Sequence, residues 1–300
     1  MCGIVGLYLK NEEWKPRLGA LFSPMLIAMG DRGPDSAGFA VYGNEAPAGA
    51  TKVSLRATAE PAWEKVTDQL RGSFPDAVRT KTNDSYATFT ISADEERLRA
   101  RLADPALGVR VMSIGRSIEI MKEVGPPEQI VSRFSVEKLE GSHMIGHTRM
   151  ATESAVTTDG AHPFSTGMDL CLVHNGSLSN HNRLRRTLEA QGIQFHTEND
   201  SEVAAGYLTW RLREGDSLEA ALEAALEDLD GFFTFAVGTA TGFAVLRDPI
   251  ACKPAVIAET DDFVAMASEY RSLAELPGIA EARLWEPEPA KVYTWGRDQA

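Results

Sequence analysis

Apolar residues in this chain come mostly in short runs that read as strands, and these runs cluster together along the sequence. Gly3 to Leu9 is the first and Phe39 to Tyr42 the second. Tyr86 to Ile91, Val109 to Ile114, Met144 to Ala151 and Leu170 to His174 follow. The last third adds Phe232 to Val237, Phe243 to Leu246, Ala255 to Ile257 and Phe263 to Ala267. Helical spacing lies elsewhere: at Leu18, Leu21, Phe22, Met25, Leu26 and Met29, over Asp94 to Leu102, Glu128 to Phe134, Asn180 to Ala190 and Glu202 to Arg213, and at Leu218, Leu222, Leu226 and Leu229. Strands grouped with strands and helices with helices predict antiparallel sheets covered by helices, an α+β protein and not a parallel βαβ wind. Between about 45 and 140 the pattern is less regular, is broken at Gly125-Pro126-Pro127, and carries no catalytic motif.

A chain of 300 residues sits near the upper end of what one core supports, so one large domain with a subdomain is expected. The formal net charge of −13 leaves no basic excess to displace counterions from a phosphate backbone, which argues against nucleic-acid binding. The first apolar run, Ile4 to Leu9, is too short to cross a bilayer and has no basic segment before it, and no later run approaches membrane length. A cytoplasmic location without membrane attachment is the expectation. Cys2, Cys171 and Cys252 form no CxxC pair and are odd in number, which argues against a disulfide framework and a structural zinc site. His143, His181 and His196 show no metal spacing, so neither metal nor cofactor is expected. Cys171 and Cys252 read as small buried apolar residues.

Cys2 is the sharpest chemical feature. A small residue after Met1 is where the initiator methionine is normally removed, and removal places a thiol and a free α-amine on one residue. An amine of pKa about 7.7–8.0 is partly neutral near neutral pH and can accept the proton of a thiol of pKa about 8.5. Nucleophile and base then come from one residue, without a histidine. Taken alone, a small residue opening a strand by chance is the better explanation of the position. The neighbouring Gly3 and Gly6 allow close backbone approach. Arg32-Gly33-Pro34-Asp35-Ser36-Ala37-Gly38 is a tight turn whose guanidinium either orients a thiolate or is simply solvated. Arg149 ends a strand in Gly146-His147-Thr148-Arg149-Met150-Ala151-Thr152, where its planar fork either suits an amino-acid carboxylate or is simply solvated. Asp200, just before a helix, serves either as its N-cap or as a seat for a substrate ammonium. In His174-Asn175-Gly176 the Asn-Gly pair is either a hairpin turn or a set of oxyanion donors.

Taken together and in order, Cys2-Gly3-Ile4-Val5-Gly6, the Arg32 turn, Gly146-His147-Thr148-Arg149, Ala161-His162-Pro163, His174-Asn175-Gly176 and the Glu198/Asp200 segment resemble class II glutamine amidotransferase domains. Such domains occur in glucosamine-6-phosphate synthase, glutamine phosphoribosylpyrophosphate amidotransferase, asparagine synthetase and glutamate synthase. Arg247-Asp248-Pro249, Lys253-Pro254 and Ala267-Ser268-Glu269 also look like this family's later strands. The resemblance implies a four-layer αββα sandwich of the N-terminal-nucleophile (Ntn) hydrolase type over residues 2–295, with an inserted subdomain at 45–140. It implies Cys2 as nucleophile with its own amine as base, and Asn175 and Gly176 as the oxyanion hole. Arg32 would support the nucleophile, while Arg149, Thr152, His162 and Asp200 would hold glutamine. Met150 and Glu153 depart from the aromatic residue and histidine often found there.

The implied reaction is hydrolysis of the glutamine side-chain amide through a thioester. With no acceptor domain expected in the chain, ammonia is expected to pass to a separate polypeptide or simply to solvent. The organisation looks most like the free-standing amidotransferase subunit of glutamate-synthase-like systems, N-methylglutamate synthase among them. The partners would be a flavin/iron–sulfur synthase subunit and a glycine-repeat β-helix subunit, with the insertion docking a partner or covering the site. Two alternatives stand beside this: a stand-alone hydrolase of γ-glutamyl compounds, and a non-catalytic subunit that senses glutamine.

Overall fold

The computed structural model describes residues 2–151 and 155–296. It opens with β1 (Gly3–Leu9), α1 (Leu18–Ile27) and β2 (Ser36–Tyr42). Next come β3 (Thr51–Ala57), α2 (Trp63–Ser73), β4 (Val78–Asn83), β5 (Tyr86–Ile91), α3 (Glu95–Leu102) and β6 (Val109–Gly115). β7 (Ile118–Val124), α4 (Pro127–Phe134), β8 (His143–Arg149) and β9 (Cys171–Leu178) follow. Three helices, α5 (His181–Ala190), α6 (Asp200–Arg213) and α7 (Leu218–Asp228), precede β10 (Gly231–Gly238) and β11 (Gly242–Arg247). The last strands are β12 (Val256–Glu259), β13 (Phe263–Ala267), β14 (Arg283–Trp285) and β15 (Val292–Gly296).

These strands form three sheets in the orders β14-β12-β13-β1-β8-β2-β7, β15-β11-β10-β9 and β4-β5-β3-β6. Neighbours within them run antiparallel, as the grouping of strand signals predicts. The first two sheets stack face to face. β1 shows why: Val5, Leu7 and Leu9 point to the α1/α4 side with Phe22, Leu26 and Phe134, whereas Ile4 and Tyr8 meet Val173, Ala236 and Phe243 of the second sheet. On that sheet's outer side Leu172, Phe233 and Phe235 pack with Val203, Leu208 and Leu222 of α6 and α7. The result is helix, sheet, sheet, helix: the expected four-layer αββα sandwich. Central strands buried on both faces read as continuous apolar runs, which is why β1, β10 and β13 stand out in the sequence.

Residues 51–115 build the third sheet. Its β-α-β-β-α-β order and strand arrangement are those of the split βαβ, or ferredoxin-like, unit. One face carries Val53, Leu55, Phe89 and Ile91 against Leu70, Phe74 and Leu98 of its two helices. The other face meets β7, which has returned to the seven-stranded sheet as its edge. That joint is polar: Glu119 accepts from Lys52 Nζ at 3.2 Å, Lys81 Nζ at 3.3 Å and Thr88 Oγ1 at 3.3 Å. The turn into β7 is pinned by Asp169, whose carboxylate accepts from the backbone of Arg116 (2.7 Å), Ser117 (2.9 Å) and Ile118 (3.1 Å). No helix among the described residues is long and apolar enough to cross a membrane.

Candidate active site

Cys2 stands at the entrance to β1, and pairing of Gly3 with Thr148 sets it beside the end of β8. Gly3 has no room for a side chain, since a Cβ there would come 2.8 Å from both Met29 Cβ and Thr148 Oγ1. The backbone after Cys2 is locked by Ser268: Ile4 N donates to its Oγ, and Ser268 N donates to Ile4 O, each at 2.9 Å. The carbonyl oxygen of Cys2 is gripped twice. Arg32 Nε donates to it at 2.9 Å and Asn175 Nδ2 at 3.2 Å.

Arg32 belongs to a 3-10 turn, Gly30–Arg32, between α1 and β2, and is buried there. Its Nη1 pairs with Glu269 Oε1 at 2.6 Å, and Glu269 Oε2 pairs with Arg271 Nε at 2.7 Å. The hydrogen bond from Arg32 holds the Glu269 carboxyl below the usual carboxylate range. Arg32 Nη2 is buried and has no partner among the described residues. The same turn braces the end of β8, because Asp35 N donates to Arg149 O at 3.1 Å and Asp35 Oδ2 accepts Ala151 N at 2.7 Å. Arg149 is buried in spite of its charge, and its Nη1 donates to Ala155 O at 3.4 Å.

Asn175 and Gly176 lie within β9, facing Thr234 and Phe233 of β10, so the Asn-Gly pair is not a hairpin turn. Gly176 has φ +155°, and a Cβ on it would fall 2.0 Å from Phe232 O. Only glycine fits. Asp200 is the first residue of α6 and not its cap. Asn199 caps the helix, accepting Ser201 N at 2.9 Å, while Asp200 Oδ2 accepts Leu178 N at 2.9 Å. Asp200 is thereby tied to the end of the strand that carries Asn175. Glu202, two residues on, is buried and accepts from His196 N at 2.9 Å and from both Thr197 N and Thr197 Oγ1 at 2.7 Å.

His162 lies in the interior, stacked on His147 with ring centroids 4.0 Å apart and edge-on to Phe164. Neither of its ring nitrogens has a partner among the described residues. His147 Nε2 donates to His174 O at 3.1 Å, and His174 Nδ1 meets Ser201 Oγ at 2.9 Å. Burial keeps all three rings neutral, lowering His147 to about 3 and His162 and His174 in the same direction.

Of the residues singled out in the sequence, the fold joins Cys2, Arg32 and Asn175 by hydrogen bonds and sets Gly176 next along β9. Arg149 follows Thr148, the partner of Gly3. His162 lies buried against His147. Thr152 falls outside the described residues. Of the other cysteines, Cys171 is buried as expected, its thiol pushed up to about 11 by burial, but Cys252 is exposed. Ser268 and Glu269, which the sequence marks only as part of a later strand motif, lie against the backbone after Cys2 and against Arg32. Glu269 is 237 residues from Arg32, and no local pattern announces such a partner. Among the described residues no group of three or more His, Cys, Asp or Glu could hold a metal ion.

A family profile described as a glutamine amidotransferase domain matches residues 147–275. The chain is 57% identical to the glutamine amidotransferase-like protein GlxB of Rhizobium meliloti (strain 1021), over the whole of both chains. It is 33% identical to a putative glutamine amidotransferase of Methanothermobacter thermautotrophicus, covering 98% of this chain and 99% of that one. Among solved structures it is similar in fold to glutamine phosphoribosylpyrophosphate amidotransferase from B. subtilis, with TM-score 0.62 and 20% identity. That match covers 99% of this chain and 48% of the other, so the chain spans about half the length of that enzyme. The chain belongs to the class II glutamine amidotransferase family.

Proposed function

We propose that this chain is a glutaminase subunit that works through Cys2 and supplies ammonia to a separate glutamate-synthase-like polypeptide, in an assembly of the N-methylglutamate synthase type. With Met1 removed, the α-amine of Cys2 takes the thiol proton and Sγ attacks the amide carbon of glutamine. The C–N bond then breaks as the ammonium returns that proton to the leaving nitrogen, giving ammonia and a γ-glutamyl thioester. Water, deprotonated by the same amine, attacks the thioester, and glutamate and the free thiol result.

The double grip on the Cys2 carbonyl carries this reading. Arg32 and Asn175 come from segments 30 and 173 residues away and converge on one atom of the residue expected to react. An asparagine amide has two N–H groups. One donates to Cys2 O, which leaves the second, with Gly176 N–H, to receive a developing oxyanion. The Arg32 guanidinium, whose Nη2 has no partner among the described residues, brings positive charge to the Cys2 backbone. Arg149 and Asp200 offer the opposite charges that a zwitterionic amino acid requires. Full-length similarity to the R. meliloti glutamine amidotransferase-like protein supports the amidotransferase part of this reading. The expected acceptors are a flavin/iron–sulfur synthase subunit and a glycine-repeat β-helix subunit, in the cytoplasm.

Glutamate release from glutamine tests the chemistry. Asn175→Ala is expected to lower kcat by about 10²–10³, the usual cost of one oxyanion donor, with KM little changed. Cys2→Ala should give no turnover above background. Wild-type rates in Cys2→Ala would end this reading. Co-purification with the two synthase subunits tests the assembly separately.

A further inference from the structure

Arg56 on β3 and Arg110 on β6 are directly opposite each other in the inserted sheet. Like charges facing across strands are unfavourable. What relieves them is a carboxylate from outside the subdomain: Asp159 Oδ1 accepts Arg56 Nη2 at 2.7 Å, and Asp159 Oδ2 lies 3.6 Å from Arg110 Nη2. Both arginines leave a buried Nε without a partner to reach this arrangement.

Asp159 sits in the segment that follows Arg149, and the same segment is tied to β7. Lys122 Nζ donates to the carbonyls of Asp159 (3.1 Å), Ala161 (2.6 Å) and Pro163 (3.2 Å) and lies 4.4 Å from the centroid of the Phe164 ring. Thr158 Oγ1 bonds the Glu123 carboxylate. On its other side the segment runs close to Arg149: a Cβ added to Gly160 would come within 3.5 Å of Arg149 Nη1, which itself donates to Ala155 O at 3.4 Å. The path from the insertion to the substrate carboxylate is therefore short. It runs from Arg56 and Arg110 to Asp159, then to Gly160, then to the guanidinium of Arg149.

We propose that Arg56 and Arg110 are positioning residues of the amidotransferase reaction: by holding Asp159 they fix segment 157–163 against Arg149, so that the seating of the inserted subdomain sets the affinity for glutamine. This rests on the reading of Arg149 as the glutamine-carboxylate ligand. Cys2, before β1, and the oxyanion donors, on β9, take their hydrogen bonds from Arg32 and each other and none from Asp159 or Gly160, so binding responds and chemistry does not.

The test compares the full chain with Arg56→Ala/Arg110→Ala, Asp159→Ala and Arg56→Lys/Arg110→Lys in glutamine hydrolysis, together with amide hydrogen exchange. The proposal predicts KM for glutamine raised about tenfold or more in the first two variants with kcat within about twofold, and substantial rescue in the lysine variant. It also predicts several-fold faster exchange in 155–163 with β1 and β9 unchanged. Unchanged KM in an active series overturns it, as does kcat falling in step with KM. If the wild-type chain does not hydrolyse glutamine, the function proposed above fails by itself. Exchange then decides the structural link: faster exchange in 155–163 upholds it, and unchanged exchange refutes it.

Discussion

β1 and β3 occupy comparable places, each inside a sheet with neighbours on both sides, yet they bury their second faces in opposite ways. β1 puts Val5, Leu7 and Leu9 against the helices and Ile4 and Tyr8 against another sheet, apolar on both sides. β3 puts Val53 and Leu55 against its helices but turns Lys52 and Arg56 towards β7 and the 159 segment. The first arrangement makes a rigid platform, on which Cys2 and Asn175 are fixed. The second makes a charged joint whose fit depends on matched partners, because breaking a buried pair leaves an uncompensated charge.

The largest effect should come from breaking that joint. Glu119→Ala removes the carboxylate shared by Lys52 and Lys81 and leaves Lys52, with only 6% of its side chain exposed, without a countercharge, held by the carbonyls of Gly43 and Ser117 alone. A loss of about 3–5 kcal/mol, read as a lower urea midpoint, is expected, and Glu119→Leu combined with Lys52→Met should restore much of it. A similar loss from Phe235→Ala in the platform would have a different cause, a cavity, and no charge-neutral double variant would repair it.

Next in size is acid sensitivity of the platform. His147 is lowered from its ordinary value of 6.5 to about 3, so between those limits the unfolded chain binds a proton that the folded chain refuses. Stability therefore falls as pH drops through 6.5, by about 2 kcal/mol at pH 5 from His147, with His162 and His174 adding in the same direction. Urea midpoints at pH 7.5 and 5 measure it, and His147→Gln should flatten the dependence. A flat profile in the wild type would contradict the neutral-cluster picture.

Glu269→Gln comes third. It keeps an acceptor for Arg32 but removes the charge, and about a tenfold fall in kcat with KM unchanged is expected from looser placement of the guanidinium. The smallest effect concerns the spare thiols. In a Cys2→Ala background one thiol should react under native conditions, exposed Cys252, and two after unfolding, when Cys171 is released. Alkylating Cys252 in the wild type should leave turnover unaltered once Cys2 is protected by glutamine.

The same contrast explains what could be read from the sequence. β1 was legible to the residue, and β6, α3, α5 and α6 to within two residues, because their burial patterns are periodic or continuous. β3, β4 and β7 were not recognised as strands. Lys52, Arg56, Lys81, Glu119 and Lys122 interrupt them with charges, of which Lys52, Glu119 and Lys122 are buried because the joint supplies their partners. The site divides likewise. Cys2, Arg32, Arg149 and Asn175 announce themselves through glycine-flanked motifs, whereas Glu269, Lys122 and Asp159 act through contacts that no local pattern encodes. The Asn-Gly pair shows the limit of turn chemistry, since the close approach of Phe232 O, not a hairpin, demands that glycine.

The account stands most directly on the identity of the reacting atom. Incubation with 6-diazo-5-oxo-L-norleucine, a reactive glutamine mimic, followed by peptide mass analysis locates it. The adduct is expected on a peptide that begins at Cys2, and glutamine should protect against it. An adduct on any other residue, or full glutamine turnover by a chain that still begins with Met1, would contradict the account.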